Sequence, residues 1–131
     1  MNKPAKDNGL GGIRRFFTAM GYSFAGIRHA ILHEAAIRDE LIALALLVPV
    51  SAMLPISAME HLALVASMML VVLVELLNSA IEAAVDLISP ERHPLAKAAK
   101  DLGSAAVLVA ILISGLCWVV IAGPVVVRWF Q

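Results

Sequence analysis

Charge is scarce in this chain. Only 15% of its 131 residues are charged, and ten Lys+Arg balance ten Asp+Glu to a net charge of zero. Bulk attraction to polyanions is therefore absent, which excludes a nucleic-acid binder built on basic patches. One cysteine, Cys117, excludes an intrachain disulfide. No G-x-x-x-x-G-K-[ST] or protein-kinase motif occurs, and Gly9, Gly11 and Gly12 run into Ile13-Arg14-Arg15 rather than a strand-to-helix turn. His29 and His33 lack a third companion for zinc and read as interfacial polar residues. Residues 1–12 are polar and glycine-rich, with no short apolar core and cleavage site after them, so they read as a loose tail and not a signal peptide.

What the chain has instead is apolar surface: 61% of it is hydrophobic, where a soluble domain is about half apolar. The excess falls in three blocks. Leu41–Met59 and Leu102–Val127 are uncharged, and Leu62–Ile88 is interrupted by Glu75, Asn78, Glu82 and Asp86. About 20 apolar residues cross a bilayer as a helix, so the reading is an all-α membrane protein with three transmembrane helices. The expected spans are about 35–58, 62–88 and 102–127, with Pro49 and Pro55 disturbing the first. Ahead of them, Ile13, Phe16, Phe17, Met20, Phe24, Ile27 and Ile31 recur at helical spacing. They predict an amphipathic surface helix over about 13–33. Residues 13–131 then form one membrane domain.

Orientation follows from the cations. Lys3, Lys6, Arg14, Arg15, Arg28 and Arg38 precede the first span. Arg92, Lys97 and Lys100 fall between the second and third, and Arg128 stands alone beyond the last. The positive-inside rule puts the N-terminus and the second loop in the cytoplasm.

The second span carries the chemistry. At about 100° per residue, Glu75, Asn78, Glu82 and Asp86 fall within an arc of roughly 80°. A carboxylate left in hydrocarbon costs about 2.5–3.5 kcal/mol or more, so this face must meet partners, water or a metal. Pairing with Lys or Arg in an oligomer is one outcome. A second acidic group (Glu34, Asp39, Glu40) and the pair Lys100-Asp101 favour another: carboxylates as hard ligands for Mg²⁺, with one left free to take a proton from an alcohol.

The segments Glu75-Leu-Leu-Asn78-Ser79-Ala80-Ile81-Glu82-Ala-Ala-Val-Asp86 and Ala99-Lys100-Asp101-Leu-Gly103-Ser104-Ala105-Ala106-Val107 closely resemble the prokaryotic diacylglycerol kinase family. Gly21-Tyr22-Ser23 and Glu34-Ala35-Ala36-Ile37-Arg38 match it too, so the likeness covers about residues 13–122. The resemblance implies a homotrimer in the bacterial cytoplasmic membrane, with sites between subunits. The implied reaction is phosphoryl transfer from MgATP to a lipid hydroxyl, turning diacylglycerol into phosphatidic acid. By that resemblance Glu75 is the general base, and Glu34 and Glu82 are the Mg²⁺ ligands. The ATP site takes in Arg15, Tyr22, Glu34, Asn78, Glu82, Glu91, Arg92, His93, Lys100 and Asp101. The lipid is lined by Ala19, Ser23, Phe24, Arg28, Ile31, Ala36, Arg38, Glu40, Ser104 and Trp118. The chain departs from the family at Thr18, Phe24 and His33 and in having Pro49, Pro55 and Pro94, none of them a proposed catalytic group.

Two other readings share these residues. Relatives with the same motifs phosphorylate undecaprenol, which also offers a hydroxyl at the interface. A small proton-coupled transporter would use Glu75 as a proton relay, leaving Glu34, Glu82 and Lys100-Asp101 without a common task. Small residues at Ala106, Ala110 and Ser114 predict close packing of the third span on another helix.

Overall fold

A computed structural model describes residues 10–89 and 93–131. Its four helices are α1 (Leu10–His33), α2 (Ala35–Met53), α3 (Ala58–Ile88) and α4 (Pro94–Trp129), and no strand occurs among the described residues. The chain divides into two units, residues 1–33 and 34–131.

The first unit is α1. Helix starts at Leu10, so only residues 1–9 of the expected tail lie outside the described residues. Phe16, Phe17 and Phe24 are each more than half exposed, the apolar stripe an interfacial helix carries. Thr18 and Ser23 donate their hydroxyls back to the carbonyls of Arg14 and Ala19, which keeps those polar groups satisfied on the helix. The helix stops before Glu34, whose backbone is extended (φ −104°, ψ 116°).

In the second unit, α2 is shorter than the expected 35–58. It ends at Met53 because Leu54 precedes Pro55, and a residue before proline is pushed out of the helical region into extended backbone (φ −76°, ψ 138°). Helix α3 starts at Ala58, ahead of the expected 62. Ser57 accepts from the Glu60 backbone N–H, while the Glu60 carboxylate accepts from the Ser57 backbone N–H. This reciprocal cap draws Glu60 and His61, which fall between the expected spans 35–58 and 62–88, into the first turn of α3. Across the connection, Ser51 and His61 share a hydrogen bond of 3.1 Å that ties the end of α2 to the start of α3.

Helix α4 starts eight residues before the expected 102. Pro94 occupies the first turn, where its missing N–H costs nothing, and the His93 ring accepts from the Leu95 N–H. Leu95–Lys100 is built of good helix formers, so Lys97 and Lys100 sit on α4 and not in a loop. Hydropathy alone missed this turn because it is amphiphilic.

Helix α3 is the centre of the unit, with both α2 and α4 packed on it. Leu64, Met68, Val71, Glu75 and Asn78, at spacings of four and three, are buried together with Ser67 and face the buried Gly103, Ala110 and Ser114 of the antiparallel α4. Ser67 donates its hydroxyl to the Leu64 carbonyl at 2.8 Å, and its oxygen lies 3.3 Å from the Ser114 hydroxyl in a second hydrogen bond across the seam. The expected small-residue stripe is thus corrected at one position. Ala106 is exposed and Gly103 is in the seam. At the end away from Asp86, Leu54, Leu64, Ala122 and Val125 form an apolar cluster joined by Cys117 and Trp118.

Among the described residues, two helices are long and apolar enough to cross a membrane, α3 and α4. Helix α2 is less apolar at its start, where Arg38, Asp39 and Glu40 stand. Around α4, Leu108, Leu112, Leu116 and Val119 are each more than half exposed. Such a continuous apolar surface belongs in lipid or against another chain.

Candidate active site

Along α3 the polar arc is graded from buried to wet. Glu75 and Asn78 are 8% and 7% exposed, Glu82 is half-buried, and Asp86 is open. The 3.6-residue period puts all four on one face, and that face meets the seam at its buried end. Asn78 donates from Nδ2 to Glu82 Oε1 at 3.3 Å, while its Oδ1 is buried without a hydrogen-bond partner. Glu75 is within electrostatic reach of Glu82 and Glu34, and Glu40 is within reach of Glu75. The fold therefore gathers carboxylates from the start of α2 around the middle of α3. One oxygen of Glu40, Oε2, is buried with no hydrogen-bond partner.

Like charges gathered at low dielectric call for a cation or shared protons. The donor set is made of hard carboxylate oxygens, which suit Mg²⁺. Among the described residues no group of three metal-ligating side chains stands ready-made. Mg²⁺ commonly takes only one or two carboxylates and fills its octahedron with water and phosphate oxygens, so Glu34 and Glu82 are a fitting set.

The expected nucleotide residues are distributed differently from the carboxylates. Lys100 pairs with Asp86 across α3 and α4 at 2.5 Å, and Asp101 pairs with Lys97 on α4 at 2.5 Å. These pairs are exposed, so each contributes about 0–1 kcal/mol to stability. Asp86, set on the arc but outside the expected ligand set, is thus the residue that holds Lys100 at the mouth of the site. His93 is exposed and caps α4. Glu91 and Arg92 lie outside the described residues.

On α1, Arg15, Ala19 and Tyr22 share one face with Arg14 and Thr18, and together they line a cleft of about 350 Å³. Ser23, Phe24, Arg28 and Ile31 are exposed on the same helix. On α2, Ala36, Arg38 and Glu40 occupy the first two turns, with Ala36 and Arg38 exposed. Ser104 is exposed on α4 beside the buried Gly103. Trp118 is apart from this group. It stands about 21 Å along α4 from Ser104 by helical rise, in the apolar cluster at the other end, with its Nε1 buried and unpartnered.

Sequence reasoning passed over Gly103 and the Ser67–Ser114 bond. Gly103 sits inside a quoted motif, and its only local signal is a glycine in a helix interior, which needs a packing reason. Ser67 reads as one small polar residue in an apolar run.

The family model for prokaryotic diacylglycerol kinase matches residues 21–122, which include every carboxylate of the cluster and both ends of the α3–α4 seam up to Ala122. The chain is 46% identical over 114 residues to a diacylglycerol kinase of Escherichia coli (strain K12), covering 87% of this chain and 93% of that protein. It is 45% identical over 118 residues to a diacylglycerol kinase of Pseudomonas aeruginosa, covering 90% and 96%. A Haemophilus influenzae diacylglycerol kinase is 38% identical over 107 residues, covering 82% and 91%. With the match running through the carboxylates as well as the apolar helices, this chain belongs to the prokaryotic diacylglycerol kinase family.

Proposed function

We propose that this chain phosphorylates diacylglycerol to phosphatidic acid, with ATP as donor and Mg²⁺ as cofactor, at the cytoplasmic face of the bacterial inner membrane. The observation that carries the reading is the buried Glu75, set on a membrane helix between an apolar seam and a polar arc that opens at Asp86. A lipid alcohol reaches such a carboxylate from the bilayer, and a water-soluble nucleotide reaches it from the polar end.

In this reading Glu75 accepts the proton of the lipid hydroxyl as its oxygen bonds to the terminal phosphorus of ATP. The bond from that phosphorus to the bridging oxygen breaks, and its electron pair leaves with ADP. Phosphoryl transfer asks mainly for in-line placement and for charge on the phosphates to be neutralised. Glu34 and Glu82 would hold Mg²⁺, which would supply positive charge at the phosphates. Lys100 adds a cation at the wet end, and Asn78 orients Glu82 through its amide. Asp101, Arg15, Tyr22, Glu91, Arg92 and His93 complete the nucleotide side. Ala19, Ser23, Phe24, Arg28, Ile31, Ala36, Arg38, Glu40 and Ser104 line the lipid side, and Trp118 contacts the lipid further along α4.

The same reading makes α2 the third membrane span. Its 19 residues rise about 28 Å, close to the hydrocarbon thickness, with Arg38, Asp39 and Glu40 at the cytoplasmic end. Three chains associate through the exposed apolar faces of the helices, and α1 lies at the interface as a surface helix. Lys97 and Lys100 at the start of α4 and Arg14, Arg15, Arg28 and Arg38 share the cytoplasmic side.

The test is product analysis. Purified protein in detergent with radiolabelled ATP and Mg²⁺, given short-chain diacylglycerol and undecaprenol in parallel, is expected to label diacylglycerol as phosphatidic acid in preference to labelling undecaprenol as its phosphate. Preferential labelling of undecaprenol overturns the acceptor assignment. No labelled lipid from either acceptor overturns the reaction class.

A further inference from the structure

Gly103 is buried inside α4, and its backbone is helical. Nothing about its conformation demands glycine, and a glycine in a helix interior is destabilising relative to alanine. The reason is spatial. A Cβ built at Gly103 would collide with Asn78 Oδ1 and would lie 3.3 Å from Asn78 Cγ. Glycines 115 and 123 on the same helix have open space at that point, as do Gly12, Gly21 and Gly26 on α1. The close approach is specific to the position facing Asn78.

The amide so accommodated has two unlike ends. Oδ1 is turned to the α4 backbone and has no hydrogen-bond partner, whereas Nδ2 reaches Glu82 Oε1. No hydrogen bond fixes the Oδ1 end, so the shape of the α4 surface sets the amide plane there. About 16 Å further along both helices, the Ser67–Ser114 bond holds the same seam in register. The colliding atom is the far end of a rotatable side chain and not backbone, so an added methyl group would displace the amide before it parted the two helices.

We propose that Gly103 is a positioning residue for this site. Its missing side chain makes the slot in which Asn78 lies, and the slot aims Nδ2 at Glu82. This rests on the nucleotide-side role assigned to Asn78 and Glu82 above.

A double-mutant cycle on the full-length protein in detergent tests it, using Gly103→Ala, Asn78→Ala and the double variant. The readouts are kcat and KM for MgATP together with the thermal midpoint. Gly103→Ala lowers kcat/KM about tenfold or more while its midpoint stays near that of the parent. In the Asn78→Ala background the same change costs less than about twofold, because the slot is already empty. If Gly103→Ala alone fails to assemble, the double variant regains assembly, since the colliding atom is gone. Full activity of Gly103→Ala, equal losses in both backgrounds, or failed assembly in both overturns the proposal. Full activity of Asn78→Ala overturns the site reading beneath it, an outcome distinct from additive losses.

Discussion

Asp86 on α3 and Lys100 on α4 form an ion pair of 2.5 Å at the open end of the polar arc, where both side chains are more than a third exposed. The pair has little to do with holding the helices together, because exposed pairs contribute about 0–1 kcal/mol. Its consequence is placement: it tethers a cation where a nucleotide's phosphates would enter.

Removing the tether separates those roles. Asp86→Asn is expected to change the thermal midpoint by no more than a few degrees. It frees Lys100, so KM for MgATP shifts by about two- to fivefold and becomes more sensitive to salt. Lys100→Ala is expected to raise the same KM by tenfold or more. Steady-state kinetics at two ionic strengths check both.

The Ser67–Ser114 bond gives a packing prediction. Interhelical hydrogen bonds in membranes average about 0.6 kcal/mol, so Ser114→Ala is expected to be nearly silent in stability and turnover. Ser114→Leu puts a large side chain into a seam built on small ones, and overpacking costs about 1–3 kcal/mol. Denaturation of the two variants side by side, with activity measured on the folded fraction, distinguishes a hydrogen-bond role from a spacing role.

Loss of the cap at the far end should be local. Ser57→Ala removes the acceptor for the Glu60 N–H, and lost caps cost about 1 kcal/mol. Hydrogen exchange is expected to rise in the first turn of α3, with kcat and both KM values unchanged. A fall in kcat would tie this end of the bundle to the chemistry.

Glu82→Gln keeps the shape and the Asn78 contact but removes a charge from the proposed Mg²⁺ ligands. Half-maximal activity is expected to need at least tenfold more Mg²⁺, and titration of activity against free Mg²⁺ reads this directly. An unchanged titration curve would remove Glu82 from the metal site.

How much of this was legible before the fold differs from residue to residue. The arc Glu75–Asn78–Glu82–Asp86 follows from period alone, because a helix of 3.6 residues per turn leaves no choice of face. The cost of placing carboxylates in lipid says that this face must meet partners, water or a metal, but not that Glu75 and Asn78 are buried while Asp86 is open. The helix ends were harder, since Leu54 obeys Pro55 while the amphiphilic turn at Pro94–Asp101 is helical without being apolar. Partner choice was not legible at all. Nothing in the spacing of Lys97, Lys100, Asp86 and Asp101 says which cation meets which acid, because that depends on the register of α3 against α4. Gly103 stayed hidden for the same reason: its meaning lies in the side chain opposite.

The central claim is that Glu75 takes the proton of a lipid alcohol. Its most direct test is Glu75→Gln assayed for labelled phosphatidic acid, with MgATP affinity measured in parallel. The account predicts turnover reduced by at least a thousandfold with nucleotide affinity within about threefold of the parent; turnover within tenfold of the parent would contradict it.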